Sequence, residues 1–493
     1  MLKRDVGDGG AGKILPSASK SDVITADLCV IGAGPGGLSV AAAAAALGRS
    51  VVLVEKHKMG GDCLNYGCVP SKALLAAAKR AHIMRTSDKF GIASVRPEVD
   101  WQAVRDHIRD VIAEIAPNDS VERFTALGVR VIQAAGRFVN KRTLQAGEHL
   151  IRARRFVIAT GSSPVLPEIP GIDDVPYFTN ETIFENASPI AHLIVIGAGP
   201  IGLELAQAYV RLGSRVTVLE SGTALGKEDP ELARYLVNEL IREGIDVREK
   251  VAIERIDGCE GEVRVSIKTG NASESIAGTH LFVATGRRPN ITDLNLEAAK
   301  VKYDSRSGIK VSQGLVASNR RIFAIGDCAG GPQFTHVANY HAGITIRRAL
   351  FRLPAKVDER LMPRVTFTEP ELAYVGLSEE QARLAGEIRV LRWPYSENDR
   401  VQAERATRGF VKVITDKRGR VLGAGIVGQQ AGELIEIWSL AISQNMKIKA
   451  LADLVLPYPT LSEVNKRAAF RYYATAASSP VVRKVVSMLA KLG

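Results

Sequence analysis

Leu28-Cys29-Val30-Ile31-Gly32-Ala33-Gly34-Pro35-Gly36-Gly37 reads as a strand, a tight turn and the start of an alanine-rich helix, and Val51-Val52-Leu53-Val54-Glu55 as a second strand. A short unbroken apolar run followed by glycine suits a strand buried on both faces. The glycines have separate tasks. Gly32 makes the turn, Gly34 lets a pyrophosphate approach the backbone, and Gly37 lets helix and strand pack closely. The helix N-terminus offers the phosphates partial positive charge, and Glu55 can accept hydrogen bonds from a ribose. One such pattern is a weak signal, but this one recurs. Leu193-Ile194-Val195-Ile196 leads into Gly197-Ala198-Gly199-Pro200-Ile201-Gly202, and Arg215-Val216-Thr217-Val218-Leu219 ends at Glu220. Gly32 and Gly197, Gly48 and Gly213, and Glu55 and Glu220 are each 165 residues apart. An accidental pattern would not keep that register, so two dinucleotide-binding folds of α/β class are expected.

A few residues after the first fold comes Gly60-Gly61-Asp62-Cys63-Leu64-Asn65-Tyr66-Gly67-Cys68-Val69-Pro70-Ser71-Lys72, holding two of the five cysteines. Five helical steps rise about 7.5 Å, whereas a disulfide needs Cα atoms within roughly 7 Å. The segment is therefore predicted to be a distorted helical turn, with Gly67 supplying the slack. Two cysteines beside a nucleotide fold point to a reversible dithiol, and Lys72, one turn beyond Cys68, favours a thiolate. A zinc site would need two more ligands at matching spacing, so no metal site is expected.

A chain of 493 residues with 46% hydrophobic and 24% charged residues can build several domains. The formal charge of +12 comes with no basic stripe interleaved with aromatics, so no nucleic-acid partner is expected. Cys29, Cys259 and Cys328 read as bystanders, and an odd cysteine count suits a reducing, cytoplasmic setting. Residues 1–22, rich in Gly, Ser and Lys, read as a flexible arm rather than a signal or membrane segment.

From about Asp22 to Phe470 the chain resembles the FAD-dependent pyridine nucleotide-disulfide oxidoreductases, which include dihydrolipoyl dehydrogenase, glutathione reductase and mercuric reductase. The resemblance rests on the cysteine string, both glycine patterns, Ala159-Thr160-Gly161, Ala284-Thr285-Gly286-Arg287-Arg288-Pro289-Asn290 and Ile322-Phe323-Ala324-Ile325-Gly326-Asp327. It implies FAD in the first fold, with Gly61, Lys72, Thr160, Gly161 and Asp327 near it, and a pyridine nucleotide in the second, with Gly286 at the crossover. Glu220 would repel a 2′-phosphate, so NADH is expected over NADPH. Cys63 would exchange with the acceptor, Cys68 would lie against the flavin, and Glu204 would pair with Lys72. The implied domains are FAD-binding in 23–165 and 287–357, NAD-binding in 166–286 and an α+β dimerisation domain in 358–473, giving a homodimer. Residues 474–493 form a basic tail with Val481, Val482, Val485, Val486, Leu489 and Leu492 on one helical face. It suits packing on the dimer or a peripheral membrane contact.

Two departures bear on the acceptor. Many members have threonine where this chain has Asp62. At Tyr458 dihydrolipoyl dehydrogenases and glutathione reductases have a histidine, paired with a glutamate at the position of Glu463. A tyrosine with a pKa of about 10 is a poor base for a thiol. Mercuric reductases do have tyrosine here, but also a terminal cysteine pair that Met488-Leu489-Ala490-Lys491-Leu492-Gly493 lacks. The expectation is an enzyme passing electrons from NADH through FAD and Cys63–Cys68 to a disulfide or soft metal ion, with Tyr458 and Glu463 of the second subunit shaping the acceptor site. Dihydrolipoyl dehydrogenase, a quinone-reducing diaphorase and a non-catalytic nucleotide-binding partner of a membrane assembly stay as alternatives.

Overall fold

The structure is a computed structural model that describes residues 23–477 and 479–492. The arm expected at residues 1–22 lies outside them. Val23–Ile31 is the centre of a first sheet, parallel to Val51–Glu55 on one side and His149–Ile158 on the other. Val129–Gln133 extends it beyond Val51–Glu55. All five residues of Val51–Glu55 are buried, which is why the run carries no polar alternation. Ile322–Ala324 returns from much later in the chain to pair with Phe156–Ile158.

Between those passages lies the second unit, a parallel sheet in the order Asp246–Glu249, Arg215–Glu220, His192–Ile196, His280–Val283. The duplication extends to the pairing: Ile31 faces Val54 in the first sheet and Ile196 faces Leu219 in the second. Both sheets end their parallel strands at a glycine turn followed by a helix, Pro35–Ala46 in one and Pro200–Arg211 in the other. The two crossings between units pair with each other, Ser162–Pro164 running antiparallel to Arg287–Pro289.

The last part of the chain builds a five-stranded antiparallel sheet in the order Arg364–Thr366, Glu371–Gly376, Val421–Gly428, Phe410–Asp416, Ile388–Pro394. Its edge strand stops at Thr366, because the Phe367 N–H donates to the Glu204 carboxylate instead of to a neighbouring strand. Buried Lys412 joins this sheet to the second unit, with Nζ 2.9 Å from Asp229, Glu231 and Glu379. The helix Pro480–Leu489 exposes Val481, Val482, Val485, Val486 and Leu489, and Leu492 beyond it is exposed too. Among the described residues no helix is long and apolar enough to cross a membrane.

Candidate active site between the two nucleotide folds

The C-terminal ends of both parallel sheets open on one cavity of about 1470 Å³, lined by Gly32, Gly34, Cys63, Cys68, Gly197, Gly199 and Glu220 among others. Single-ligand pockets are usually about 300–1,000 Å³, so the space suits two dinucleotides.

The glycines divide into those that make the turn and those that leave room. Gly32 has φ +103°, and a Cβ there would lie 2.3 Å from the Ala159 carbonyl oxygen. A Cβ on Gly37 would lie 1.9 Å from the Gly32 oxygen, whereas one on Gly34 would meet nothing within 4 Å. The second fold repeats this: Gly197 at φ +104°, Gly202 with its Cβ 2.0 Å from the Gly197 oxygen, and Gly199 in open space. Gly34 and Gly199 also cap helices with no acidic residue in the first turn. Free space over a helix N-terminus fits a pyrophosphate in each fold.

Glu55 accepts from Ala33 N at 2.6 Å and His57 N at 2.7 Å. Glu220 does the same with Ala198 N at 2.9 Å and Gly222 N at 2.8 Å. These bonds hold each carboxylate at the edge of its sheet; both Glu55 oxygens keep a lone pair for a ribose hydroxyl, as does Glu220 Oε2, while Glu220 Oε1 also accepts from Ser221 Oγ at 3.4 Å. Gly61 at φ +60° would place a Cβ 2.8 Å from Gly34 Cα, so the cysteine segment crosses directly over the phosphate turn. Thr160, Gly161 and Gly286 line the cavity, and Thr160 Oγ1 donates to the Asn290 carbonyl at 2.6 Å.

The cysteines straddle a helix break. Cys63 lies in Gly61–Asn65, Cys68 begins Cys68–Arg85, and Gly67 between them has φ −123° and ψ −110°. Both are free cysteines in this structure. The Cys63 thiol donates to Cys68, which, with Thr335 and Lys72, brings Cys68 down to about 6 against the opposing effects of burial and Asp62. The same bond, with burial, pushes Cys63 well up. Thr335 Oγ1 sits 3.4 Å from Cys68 Sγ, at the start of the helix Thr335–Ala349. The two shifts run in opposite directions, favouring charge on Cys68 and a proton on Cys63.

Lys72 Nζ donates to Glu204 Oε2 at 2.7 Å and lies 4.3 Å from the centre of the Phe367 ring. Glu204 is buried, and its other oxygen accepts from Phe367 N at 2.9 Å. Asp327 accepts from Ser162 Oγ at 2.5 Å, and burial holds its carboxyl above the usual range. Arg287 spans the floor of the site, donating to Ser162 Oγ at 2.8 Å and meeting Asp62 at 3.0 Å.

Tyr458 and Glu463 do not line this cavity. The exposed Tyr458 hydroxyl donates to Asp399 at 2.7 Å, which raises its pKa, while Glu463 pairs with Arg467. One protomer alone does not bring them to the cysteines. Sequence reading passed over Thr335, Asn180, Ser162 and Phe367. Only Thr335 carried a local signal, as the first residue of a helix behind the Gly326-Asp327 turn.

Two dinucleotide folds converging on a dithiol and a buried Lys–Glu pair define a flavin- and pyridine nucleotide-dependent oxidoreductase. Residues 26–342 match the pyridine nucleotide-disulphide oxidoreductases and residues 362–469 their dimerisation domain. The chain belongs to that family and is an enzyme of it. It is 35% identical to the mercuric reductase of Streptomyces lividans over 452 residues, covering 90% of this chain and 95% of the relative. It is 33% identical to the dihydrolipoyl dehydrogenase of Geobacillus stearothermophilus over 455 residues, 90% and 96% of the two. Among solved structures it is similar to the HOCl-induced flavoprotein disulfide reductase RclA from Escherichia coli, with TM-score 0.80 and 28% identity over 90% of this chain and 99% of that one.

Proposed function

We propose that the enzyme takes electrons from NADH through FAD into the Cys63–Cys68 pair and delivers them from Cys63 to a disulfide or a soft metal ion. The observation that carries this reading is the pair itself, two free cysteines set in the cavity between the two nucleotide cradles, with Thr335 and Lys72 placed to favour charge on Cys68.

Held by Gly32, Gly34, Gly37 and Glu55 of the first fold, FAD would supply two-electron chemistry between NADH and sulfur. The chain's residues then act in order. Cys68 and Cys63 leave their disulfide as a thiolate and a thiol, gaining two electrons and a proton. Lys72, kept in place by Glu204, holds positive charge beside Cys68. Cys63, once deprotonated, attacks an acceptor disulfide and releases one thiol; Cys68 closes the pair again and releases the second. A soft metal ion is taken by thiolate as substrate. That branch is supported by relatives named mercuric reductases and by the Cu(II) complex of RclA, which is as similar to this chain as RclA alone.

The preference for NADH rests on Glu220, whose carboxylate at the end of the second strand favours a free 2′-hydroxyl. The homodimer rests on the dimerisation domain, and Tyr458 and Glu463, outside their own protomer's cavity, are assigned to the partner's acceptor site. A peripheral membrane contact by the tail is supported by its exposed apolar helix face beside Arg483 and Lys484. Unchanged vesicle binding after deletion beyond Ser479 would remove that part.

Anaerobic NADH consumption with mercuric ion, lipoamide and a quinone as separate acceptors tests the reading. Fast turnover with one of the first two, lost in Cys63→Ser, is the expected result. Turnover confined to the quinone and unaffected by Cys63→Ser overturns the disulfide route.

A further inference from the structure

Asp62 has no part in the steps above, yet it stands immediately before Cys63. Its Oδ1 lies 3.0 Å from Arg287 Nη2 and accepts from Asn180 Nδ2 at 3.2 Å. Asn180 Nδ2 also donates to the Tyr66 carbonyl at 3.1 Å, so one amide grips both ends of the loop between the cysteines. The second carboxylate oxygen is turned toward that loop: a Cβ built on Gly67 would lie 2.9 Å from Asp62 Oδ2. The charge is therefore held next to Cys63 in sequence and beside the residue that precedes Cys68.

Arg287 neutralises this carboxylate only in part, because it is shared. Its Nε and Nη2 also donate to Ser162 Oγ and the Ser162 carbonyl at 2.8 and 2.7 Å, and Ser162 donates in turn to Asp327. One guanidinium thus sits between two carboxylates, and the Asp62 charge still acts on both cysteines. The other groups that face the pair act in the opposite sense: Lys72 from the helix Cys68–Arg85 and Thr335 from the helix Thr335–Ala349 both favour charge on sulfur.

We propose that Asp62 is a positioning residue that sets the reducing strength of the cysteine pair: its carboxylate, held by Arg287 and Asn180 against the Cys63–Cys68 loop, opposes charge on the sulfurs. The proposal rests on the pair being the redox group described above. Its basis is that a dithiol holding a thiolate is lowered in energy by everything that stabilises that charge, and a lower-energy dithiol is a weaker reductant. An anion beside the loop works against this, so the reduced pair gives up its two electrons more readily than it would next to a neutral side chain. No new reactant is needed, since the same disulfide and dithiol are interconverted with a different equilibrium constant.

Asp62→Asn keeps an oxygen for Arg287 and Asn180 and removes only the charge, while Arg287→Gln leaves the carboxylate less screened. The FAD-loaded wild type and both variants are equilibrated at neutral pH with mixtures of reduced and oxidised dithiothreitol. The thiols are then trapped by acid and alkylation, and the Cys63–Cys68 peptide is scored by mass spectrometry, a readout separate from the flavin and from turnover. Asp62→Asn is expected to move the equilibrium toward the dithiol by about three- to tenfold, a potential about 14–30 mV less negative. Arg287→Gln is expected to move it the other way, and Asp62→Thr stands in as a second neutral variant should Arg287→Gln lose FAD. An unchanged equilibrium in both neutral variants, or a shift of the same sign in Asp62→Asn and Arg287→Gln, overturns the proposal and leaves a structural clamp. A wild-type pair that takes up no electrons from dithiothreitol overturns the parent reading, and this one with it.

Discussion

Gly199 and Gly202 stand three residues apart on the second nucleotide fold, and alanine should separate their roles cleanly. Gly199 has φ −77° and ψ −179°, ordinary for any residue, and its added methyl meets nothing within 4 Å. Losing a glycine helix cap and stiffening the unfolded chain act in opposite directions, so Gly199→Ala should leave stability within about 1 kcal/mol. The methyl would instead stand where a phosphate reaches the backbone. Losing one charge-assisted hydrogen bond there costs about 1.5–3 kcal/mol, roughly a 10- to 100-fold weaker Kd for NAD⁺. Gly202→Ala drives its Cβ to 2.0 Å from the Gly197 oxygen, so helix and turn must separate, at a net cost of about 2 kcal/mol after the helix-propensity gain. Thermal unfolding of the FAD-loaded variants and equilibrium NAD⁺ binding measure both quantities. Unchanged NAD⁺ affinity in Gly199→Ala, or the same loss of stability in both variants, would refute the division of tasks drawn from the structure.

Glu204→Gln should cost about 1–2 kcal/mol in denaturant unfolding, allowing for the solvent that reaches Lys72, because Lys72 and Phe367 N use separate carboxylate oxygens and the amide nitrogen replacing one of them donates rather than accepts. Acceptor turnover should fall with it, and a variant of wild-type stability and rate would contradict the pairing. Lys412→Met leaves Asp229, Glu231 and Glu379 facing one another and should cost about 3–5 kcal/mol, read as a lowered unfolding midpoint with the FAD site otherwise intact. In the reduced enzyme the thiolate absorbance of Cys68 should appear through a pH of about 6 and vanish in Cys68→Ser. Since this pKa is lowered on folding, its contribution to the reduced form is absent below about 6, grows as the pH rises and is complete above the ordinary thiol value. Reduced protein whose stability does not rise over that range would count against the assignment.

The α/β fold could be read from the chain because each dinucleotide unit is a local object. Strand, turn, helix and second strand fall within about thirty residues, Gly37 and Gly202 are demanded by contacts with their own turns, and Gly34 and Gly199 by the space for a phosphate. Gly37 and Gly202 therefore carried their structural reasons in their spacing, Gly32 and Gly197 are further held by the returning strands at Ala159 and Ala284, and the repeated register made the duplication certain. The cysteine string was equally local, and the break at Gly67 follows from the distance that five helical steps cover. The Lys72–Glu204 pair was named only through resemblance, since its two members lie 132 residues apart.

Tertiary structure alone decided what surrounds the sulfurs. Thr335 reaches Cys68 across 267 residues and Asn180 reaches Asp62 across 118, and neither position has a pattern that announces its partner. Arg287 was legible as part of a crossover motif, but not as the cation between Asp62 and Asp327. That role exists only because the two crossings pair, Ser162–Pro164 against Arg287–Pro289. The sequence by itself determined the class of protein, because periodicity and glycine spacing are properties of neighbouring residues. The charge balance on the cysteine pair depends on groups that only folding brings within a few ångströms, and Coulomb interactions follow distance in space rather than along the chain.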